Sequence, residues 1–412
     1  MRRLKYWLTV RRLAYIAAIL AWAVLLVSEV LPDLNQTTQG FTAYYAAAYA
    51  VLHGGAADLN NNQAFGWWVA RTGSRIHEVF AGNAPTLSLV MIPLTVVNLR
   101  IAQTVWLILN VGMLAVSAWL AGRLCAPRNF TARWWIAAVF ALLAPVLEVI
   151  RYGQVYLLLA LLSLLIIMFL PRYPLLVGIA LAGMVLLKPY YGVLTLGVLV
   201  WLRCPRSILT AITLIGLVVI STLPLLAGAW PGFLQAQASI NDIAWAAIPA
   251  NQTLNSFFQH LLLYSPIWNP EPLANIPLLA IGLRYAFSMV LVLVTLRQAN
   301  QHGDDPFWIW IPALTLMPVL APVGEAHHYA MLLFPIAVGV TRLVERNTSK
   351  VTMGVIGGAL FLLIVPWPSL HDPANWGGWG GLFAYPRLMG ALLLWAVLVL
   401  KDRSYLRVLS TV

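Results

Sequence analysis

The sequence predicts an all-α polytopic membrane protein of about a dozen transmembrane helices, one domain over residues 1–412, with an amphipathic first outer loop. Three observations predict it. Of the 412 residues, 61% are apolar and only 9% charged, and the mean hydropathy is +0.83. A water-soluble domain carries roughly 25% charged residues, so that class is excluded. Apolar stretches approaching the length of about twenty residues that a hydrocarbon core requires recur along the whole chain. Between alternate stretches lie short basic clusters, the distribution that Lys and Arg take on the cytoplasmic side of a membrane. The net charge of +12 is therefore a topology signal, and nucleic acid is excluded as a partner.

The elements follow in order. Met1–Arg12 is basic and 13–31 apolar, as in a signal peptide, but no small-residue cleavage site precedes Pro32. This segment reads as a retained first anchor. A large outer loop, about 32–83, contains Phe41–His53 and Ala64–Phe80, both patterned to lie along the membrane surface. The run 84–98, interrupted by Pro85 and Pro93, reads as a membrane-dipping half-helix. Crossings are expected at about 101–122, 134–150, 155–170, 175–188, 190–202 and 207–228. A second outer loop, about 229–274, precedes crossings at 275–296, 307–322, 328–341, 352–367 and 384–400. Internal repeats, low-complexity segments and a soluble domain are not apparent. The two cysteines, Cys125 and Cys204, sit beside arginines in connectors and suggest neither a disulfide nor a metal site.

The charges test this layout. With the amino terminus inside, 18 of the 25 basic residues fall on the cytoplasmic side: Arg2, Arg3, Lys5, Arg11, Arg12, Arg123, Arg128, Arg133, Arg172, Arg203, Arg206, Arg297, Arg342, Arg346, Lys350, Lys401, Arg403 and Arg407. Both termini are then cytoplasmic. Acids distribute the other way, with Asp33, Asp58, Glu78, Asp242, Glu271, Glu325 and Asp372 outside, Glu29 and Glu148 near outer helix ends, and Asp304, Asp305, Glu345 and Asp402 inside.

Five polar islands fall on the outer side and are expected to rim one cavity. They are Arg151-Tyr152-Gly153-Gln154, Lys188-Pro189-Tyr190-Tyr191-Gly192, Asn251-Gln252-Thr253-Leu254-Asn255, Glu325-Ala326-His327-His328-Tyr329 and Trp376-Gly377-Gly378-Trp379-Gly380-Gly381. Lys188, between two apolar runs, is either a ligand for a lipid phosphate or a snorkelling lysine. The helix-breaking Pro189 and Gly192 favour the first. Arg151 poses the same choice, and Arg284 is either a second phosphate ligand or the partner of a helix-end acid. Glu325, His327 and His328 invite a metal reading, but adjacent helical histidines point about 100° apart. A hydrogen-bonding or acid–base histidine beside a substrate fits better, the alternative being an interfacial histidine pair. Asn251 and Gln252 suit a hydroxyl-rich ligand, or Asn251 or Thr253 caps a helix. Asn251-Gln252-Thr253 and Asn35-Gln36-Thr37 also fit the N-x-[ST] acceptor pattern. The Trp/Gly segment reads as an interfacial aromatic belt or as a platform for sugar rings.

The order of these islands resembles glycosyltransferase family 87, the group of polyprenyl-phosphate-mannose-dependent mannosyltransferases. Phe41-Thr42-Ala43-Tyr44-Tyr45-Ala46-Ala47-Ala48 with Val51-Leu52-His53-Gly54 is similar to the family's first-loop D-F-x-x-Y-Y-x-A-A…L-x-G pattern. Asn83-Ala84-Pro85 leading to Ile92-Pro93-Leu94 resembles its Y-P-P…P-L segment. Gly153-Gln154-Val155, Lys188-Pro189, Asn251-Gln252-Thr253-Leu254 and His327-His328-Tyr329 follow its G-Q-x, K-P, N-Q-S-L and H-H-y elements in order. The likeness spans roughly 13–345. It departs at the family's first-loop aspartate, which aligns with Gly40, at Gly324-Glu325 in place of Ser-Trp, and at His260 in place of an arginine.

The resemblance implies a GT-C type membrane glycosyltransferase of a bacterial cell envelope, acting on the extracytoplasmic side of the plasma membrane. It moves a mannose-like sugar from a polyprenyl-phosphate donor to a lipid or glycan acceptor, with inversion and with neither metal nor other cofactor. Lys188, with Arg151, Gln154, Tyr44, Tyr45, Asn251, Gln252, Glu325 and Arg284, binds substrate in this reading. His327 or His328 orients the acceptor or the phosphate. With glycine at position 40, Asp33 is the first choice for the catalytic base, followed by Asp58 and Glu78. The rivals are a lipid or solute transporter, which needs a polar path reaching both faces, and a catalytically silent relative.

Overall fold

The computed structural model describes residues 2–34, 36–80, 82–170, 172–239, 247–301, 306–345, 348–367 and 375–400, the side chains of residues 2–8 and 400 excepted. Asn35, Asp242, Asp304, Asp305, Arg346, Asp372, Lys401, Asp402, Arg403 and Arg407, named above, lie outside the described residues. Among the described residues the chain is all-helical, with two isolated backbone bridges and no strand.

Local chemistry sets the helix boundaries. Pro174, Pro189, Pro205, Pro277 and Pro386 each open a helix, where the missing N–H costs nothing. Asn61, Asn129, Thr253 and Ser349 cap others by accepting from the backbone two or three residues on.

Among the described residues five helices are long and apolar enough to cross a membrane: Thr9–Asp33, Leu99–Cys125, Pro205–Leu226, Pro277–Gln301 and Ala326–Val344. A sixth exists if the bent pair Phe130–Leu142 and Ala144–Tyr152 is one crossing. The expected count of about a dozen is not reached by length. The stretches expected at 155–170, 175–188 and 190–202 form the helices Tyr156–Phe169, Pro174–Leu187 and Pro189–Trp201, of 14, 14 and 13 residues. At 1.5 Å per residue such helices reach about 20 Å, short of the roughly 30 Å hydrocarbon core. Proline and polar breaks shorten them. Pro205–Leu226 leaves Leu209, Ile212, Leu217 and Ile220 exposed along its length. An apolar face of that extent belongs against lipid, and the protein is an integral membrane protein.

Two compact units divide the chain, each drawing on separate stretches. The first comprises Val24–Ala115 and Glu148–Ile240. In it Pro174–Leu187 packs against Tyr156–Phe169, Pro189–Trp201 and Pro205–Leu226. The first-loop helix Gln39–Leu52 packs on Leu87–Met91 and Ile92–Val96. That helix differs from the amphipathic, surface-lying segment expected: Gly40 through Ala48, with Ala50 and Val51, are buried. Its run of alanines lets neighbouring backbones close in on all sides, so no face remains for a membrane surface. The shorter helix Asn62–Arg71 keeps the expected two-sided character, burying Phe65, Trp68 and Val69 while Trp67 is exposed. Residues 84–98 form short helices, Leu87–Met91 and Ile92–Val96, as the two prolines suggested.

The second unit comprises Met1–Ala23, Val116–Leu147 and Asn241–Val412. Its core gathers Trp310, Tyr329, Tyr385, Phe140 and Phe334, and the cations Arg387 and Arg342 are buried in it.

Candidate active site

In the first unit an acid cluster forms where the first long helix ends. Pro32 cannot donate a backbone bond, and the turn ahead of it, Leu26–Val30, is π-helical, with the Leu31 N–H donating to the Leu26 carbonyl. Glu29 and Asp33 both lie buried here, 5% and 8% exposed. The Glu29 carboxylate accepts from Arg151 Nε at 3.0 Å and Nη2 at 2.9 Å. Arg151, open in the sequence between a phosphate ligand and a snorkelling cation, has its charge matched by this bidentate partner, while half of its side chain stays exposed. Asp33 Oδ2 is buried without a hydrogen-bond partner. Gln103 fixes the chain beyond it, accepting from the Thr38 N–H at 2.9 Å and donating to the Gln36 carbonyl at 2.5 Å. Sequence reasoning placed Glu29 near this helix end without a role and missed Gln103, which lies inside a long apolar stretch.

Lys188 sits at the break between the helices Pro174–Leu187 and Pro189–Trp201, as the Lys-Pro pair predicted. Its ammonium donates to Asn83 Oδ1 at 2.5 Å and stands 5.5 Å from the Tyr156 ring centroid. Asn83 donates in turn to the Phe80 carbonyl at 3.1 Å. Thr86 bonds the Leu186 carbonyl at 2.5 Å, tying the 83–86 turn to the helix end that carries Lys188. Asn83 was noted in sequence only as part of a motif, and its role as a partner of Lys188 was not foreseen.

Gln154 accepts from the Tyr44 hydroxyl. The first-loop helix and the segment at 151–154 therefore meet at this contact. Gly40 faces the same amide: a β-carbon built on it would collide with Gln154 and stand 2.9 Å from the Tyr152 carbonyl oxygen. Gly153, at φ +63°, would bring a β-carbon to 2.6 Å from Phe41 Cβ. The glycine at position 40 is thus a packing requirement of this chain. Tyr45 points elsewhere, donating to the Val97 carbonyl at 2.7 Å. Asp58 accepts from Trp68 Nε1 at 2.8 Å and ends the short 3-10 helix Ala56–Asp58. Glu78 lies in an irregular, partly exposed segment.

The second unit holds the amide and histidine islands. Gln252 is fully buried, and its side chain is consumed internally: Nε2 donates to the Pro249 and Ala384 carbonyls at 2.5 and 2.9 Å, and Oε1 accepts from the Arg387 N–H at 2.9 Å. The Gln252 N–H donates to the Gly324 carbonyl at 2.8 Å, and the Tyr329 hydroxyl donates to the Gln252 carbonyl. This residue, expected to bind substrate, ties together the segments at 249–256, 324–329 and 384–387. Asn251 is fully buried, which removes it as a surface glycan acceptor. Thr253 supplies the helix cap, accepting from the Ser256 N–H at 3.1 Å.

His327 is buried, its Nδ1 3.6 Å from Glu325 Oε2, and its ring lies 4.7 Å from that of His328. Glu325 is the more exposed partner. Arg284 belongs to this unit and stacks over Tyr285 at 5.1 Å. Among the described residues no three His, Cys, Asp or Glu gather as a metal-binding group. His260 is buried beneath the Trp/Gly segment, bonded to the Trp376 backbone, and burial lowers its pKa to about 4. It stands there as a neutral ring. The Arg387 side chain is buried and donates to the Leu362 carbonyl.

The sequence model of glycosyltransferase family 87 matches residues 82–322. That stretch contains Asn83, Arg151, Gln154, Lys188 and Asn251–Leu254; it begins after Asp33 and ends before Glu325 and the histidine pair. No curated protein and no solved structure matches the chain. With more than half of its 412 residues matched, the chain belongs to glycosyltransferase family 87.

Proposed function

We propose that this membrane glycosyltransferase moves a mannose-like sugar from a polyprenyl-phosphate donor to a hydroxyl of a lipid or glycan acceptor, on the extracytoplasmic face and with inversion. The observation that carries the reading is Lys188, a partly buried cation held by Asn83 at a helix break within the family-matched stretch. A fixed cation at that break suits the charge that grows on a phosphate as it leaves.

In this scheme the Asp33 carboxylate accepts the acceptor's hydroxyl proton while that oxygen attacks the anomeric carbon. The bond from that carbon to the phosphate oxygen breaks, and the departing polyprenyl phosphate meets Lys188. Positioned base catalysis of this kind contributes on the order of 10²–10⁴-fold. Asp33 is preferred because it is buried with one oxygen unengaged, whereas Asp58 is held by Trp68. Arg151 contributes as part of its pair with Glu29 rather than as a lone phosphate ligand.

The test is radiolabelled sugar transfer in membranes, comparing Lys188→Gln, Asp33→Asn, Asp58→Asn and Glu78→Gln. Loss with the first two and retention with the last two is expected. Full activity of Lys188→Gln would remove it from the mechanism, and activity in all three acid variants would take the base out of the first loop. Vesicle flux of a polyprenyl-phosphate sugar without transfer would favour the transporter.

A further inference from the structure

Glu29 is a buried acid to which the reaction scheme gives no step. It lies four residues before Asp33, in the π-helical turn that precedes Pro32. Such turns insert one residue into a helix and are frequent at functional sites. Both Glu29 oxygens are occupied by Arg151, at 2.9 and 3.0 Å. A bidentate arginine–carboxylate pair is strong and fixed in direction. The neighbouring Asp33 keeps a buried, unpartnered Oδ2, although the Arg151 charge is near enough to act on it.

We propose that Glu29 is a positioning residue for sugar transfer: it holds the Arg151 guanidinium away from Asp33, so that the Asp33 carboxylate stays available to take a proton. The proposal rests on Asp33 being the base. The groups that face Asp33 are Glu29 from its own helix and Arg151 from Ala144–Tyr152, with Glu148 and Tyr152 of that helix acting on the guanidinium as well. Gln103, from Leu99–Cys125, bonds backbone carbonyls of this segment. Removing Glu29 alone leaves a lone cation that turns to Asp33 and weakens it as a base. Removing Arg151 alone leaves a lone anion beside Asp33, which opposes its ionisation. Removing both removes a neutral pair.

The experiment is the pH–rate profile of transfer by the full chain in detergent or vesicles, for the native protein, Glu29→Gln, Arg151→Met, the double variant and Asp33→Asn. Glu29→Gln is expected to move the acid limb down by about one pH unit and to lower kcat about tenfold with KM little changed. Arg151→Met should move the limb up, and the double variant should return it to the native position. A merely structural ion pair would leave the limb in place in every variant that folds. Should Glu29→Gln not fold, Arg151→Met and the double variant carry the test, and identical limbs in those two would overturn the proposal. Asp33→Asn that stays active overturns the reading beneath it. An inactive Asp33→Asn combined with unmoved limbs overturns this inference alone.

Discussion

The Lys188 ammonium donates to the Asn83 side-chain oxygen at 2.5 Å, joining the break at Pro189 to the turn that follows the first loop. Two residues 105 apart in sequence thereby set the position of the cation proposed to meet the leaving phosphate. Lys188→Gln is expected to cut transfer at least about 10²-fold, the scale on which a preorganised charge acts. Asn83→Ala, which removes one hydrogen bond to a charged group, should cost about tenfold. Both follow from initial rates at saturating and limiting donor, with the melting temperature showing that the fold persists.

Packing around Gly40 predicts a stability effect. Gly40→Ala places a β-carbon against the Gln154 amide and the Tyr152 backbone, and overpacking of this kind costs about 1–3 kcal/mol. Gln154→Ala in the same chain should recover part of that loss. Thermal unfolding of the detergent-solubilised single and double variants checks the coupling; additive losses would count against direct contact.

His260 predicts a pH dependence of stability. The unfolded ring titrates at its ordinary 6.5 and the buried ring at about 4. The unfolded chain therefore binds more protons in that window, and the contribution present above pH 6.5 is lost as pH falls toward 4. The full loss approaches about 3 kcal/mol at pH values below 4. His260→Phe should flatten this limb in unfolding measured from pH 7 to 4, and an unchanged slope would place the sensitivity elsewhere.

Gln252 predicts a structural phenotype rather than a change in affinity. Gln252→Leu leaves the Pro249 and Ala384 carbonyls and the Arg387 N–H without their partner. Each buried orphan costs about 1–3 kcal/mol, so the variant should melt far below the native protein or fail to accumulate. A folded variant with only a raised KM would restore the substrate-binding reading.

The legible part of this protein was whatever depends on composition and local spacing. The apolar stretches named their helices because burial of backbone polar groups in lipid leaves little alternative. Lys188-Pro189 announced a break because proline cannot continue the preceding helix. The sequence was ambiguous where one pattern serves two ends. Gln252 carries the same amide whether it binds a sugar hydroxyl or two backbone carbonyls, and only its burial separates the cases. The helix Gln39–Leu52 read as amphipathic because its tyrosines look polar, yet packing encloses it.

By itself, then, the sequence determined an all-helical membrane protein, the order of its polar islands and the family to which they belong. Those properties follow from residue chemistry at fixed separations along the chain. The tertiary structure alone decided that Arg151 is matched by Glu29 and that Lys188 rests on Asn83. It also decided that Gly40 faces Gln154 and that Arg387 is buried. The pairs Glu29–Arg151 and Asn83–Lys188 join residues more than a hundred positions apart, and charge compensation at such range depends on how helices pack, which no local pattern encodes.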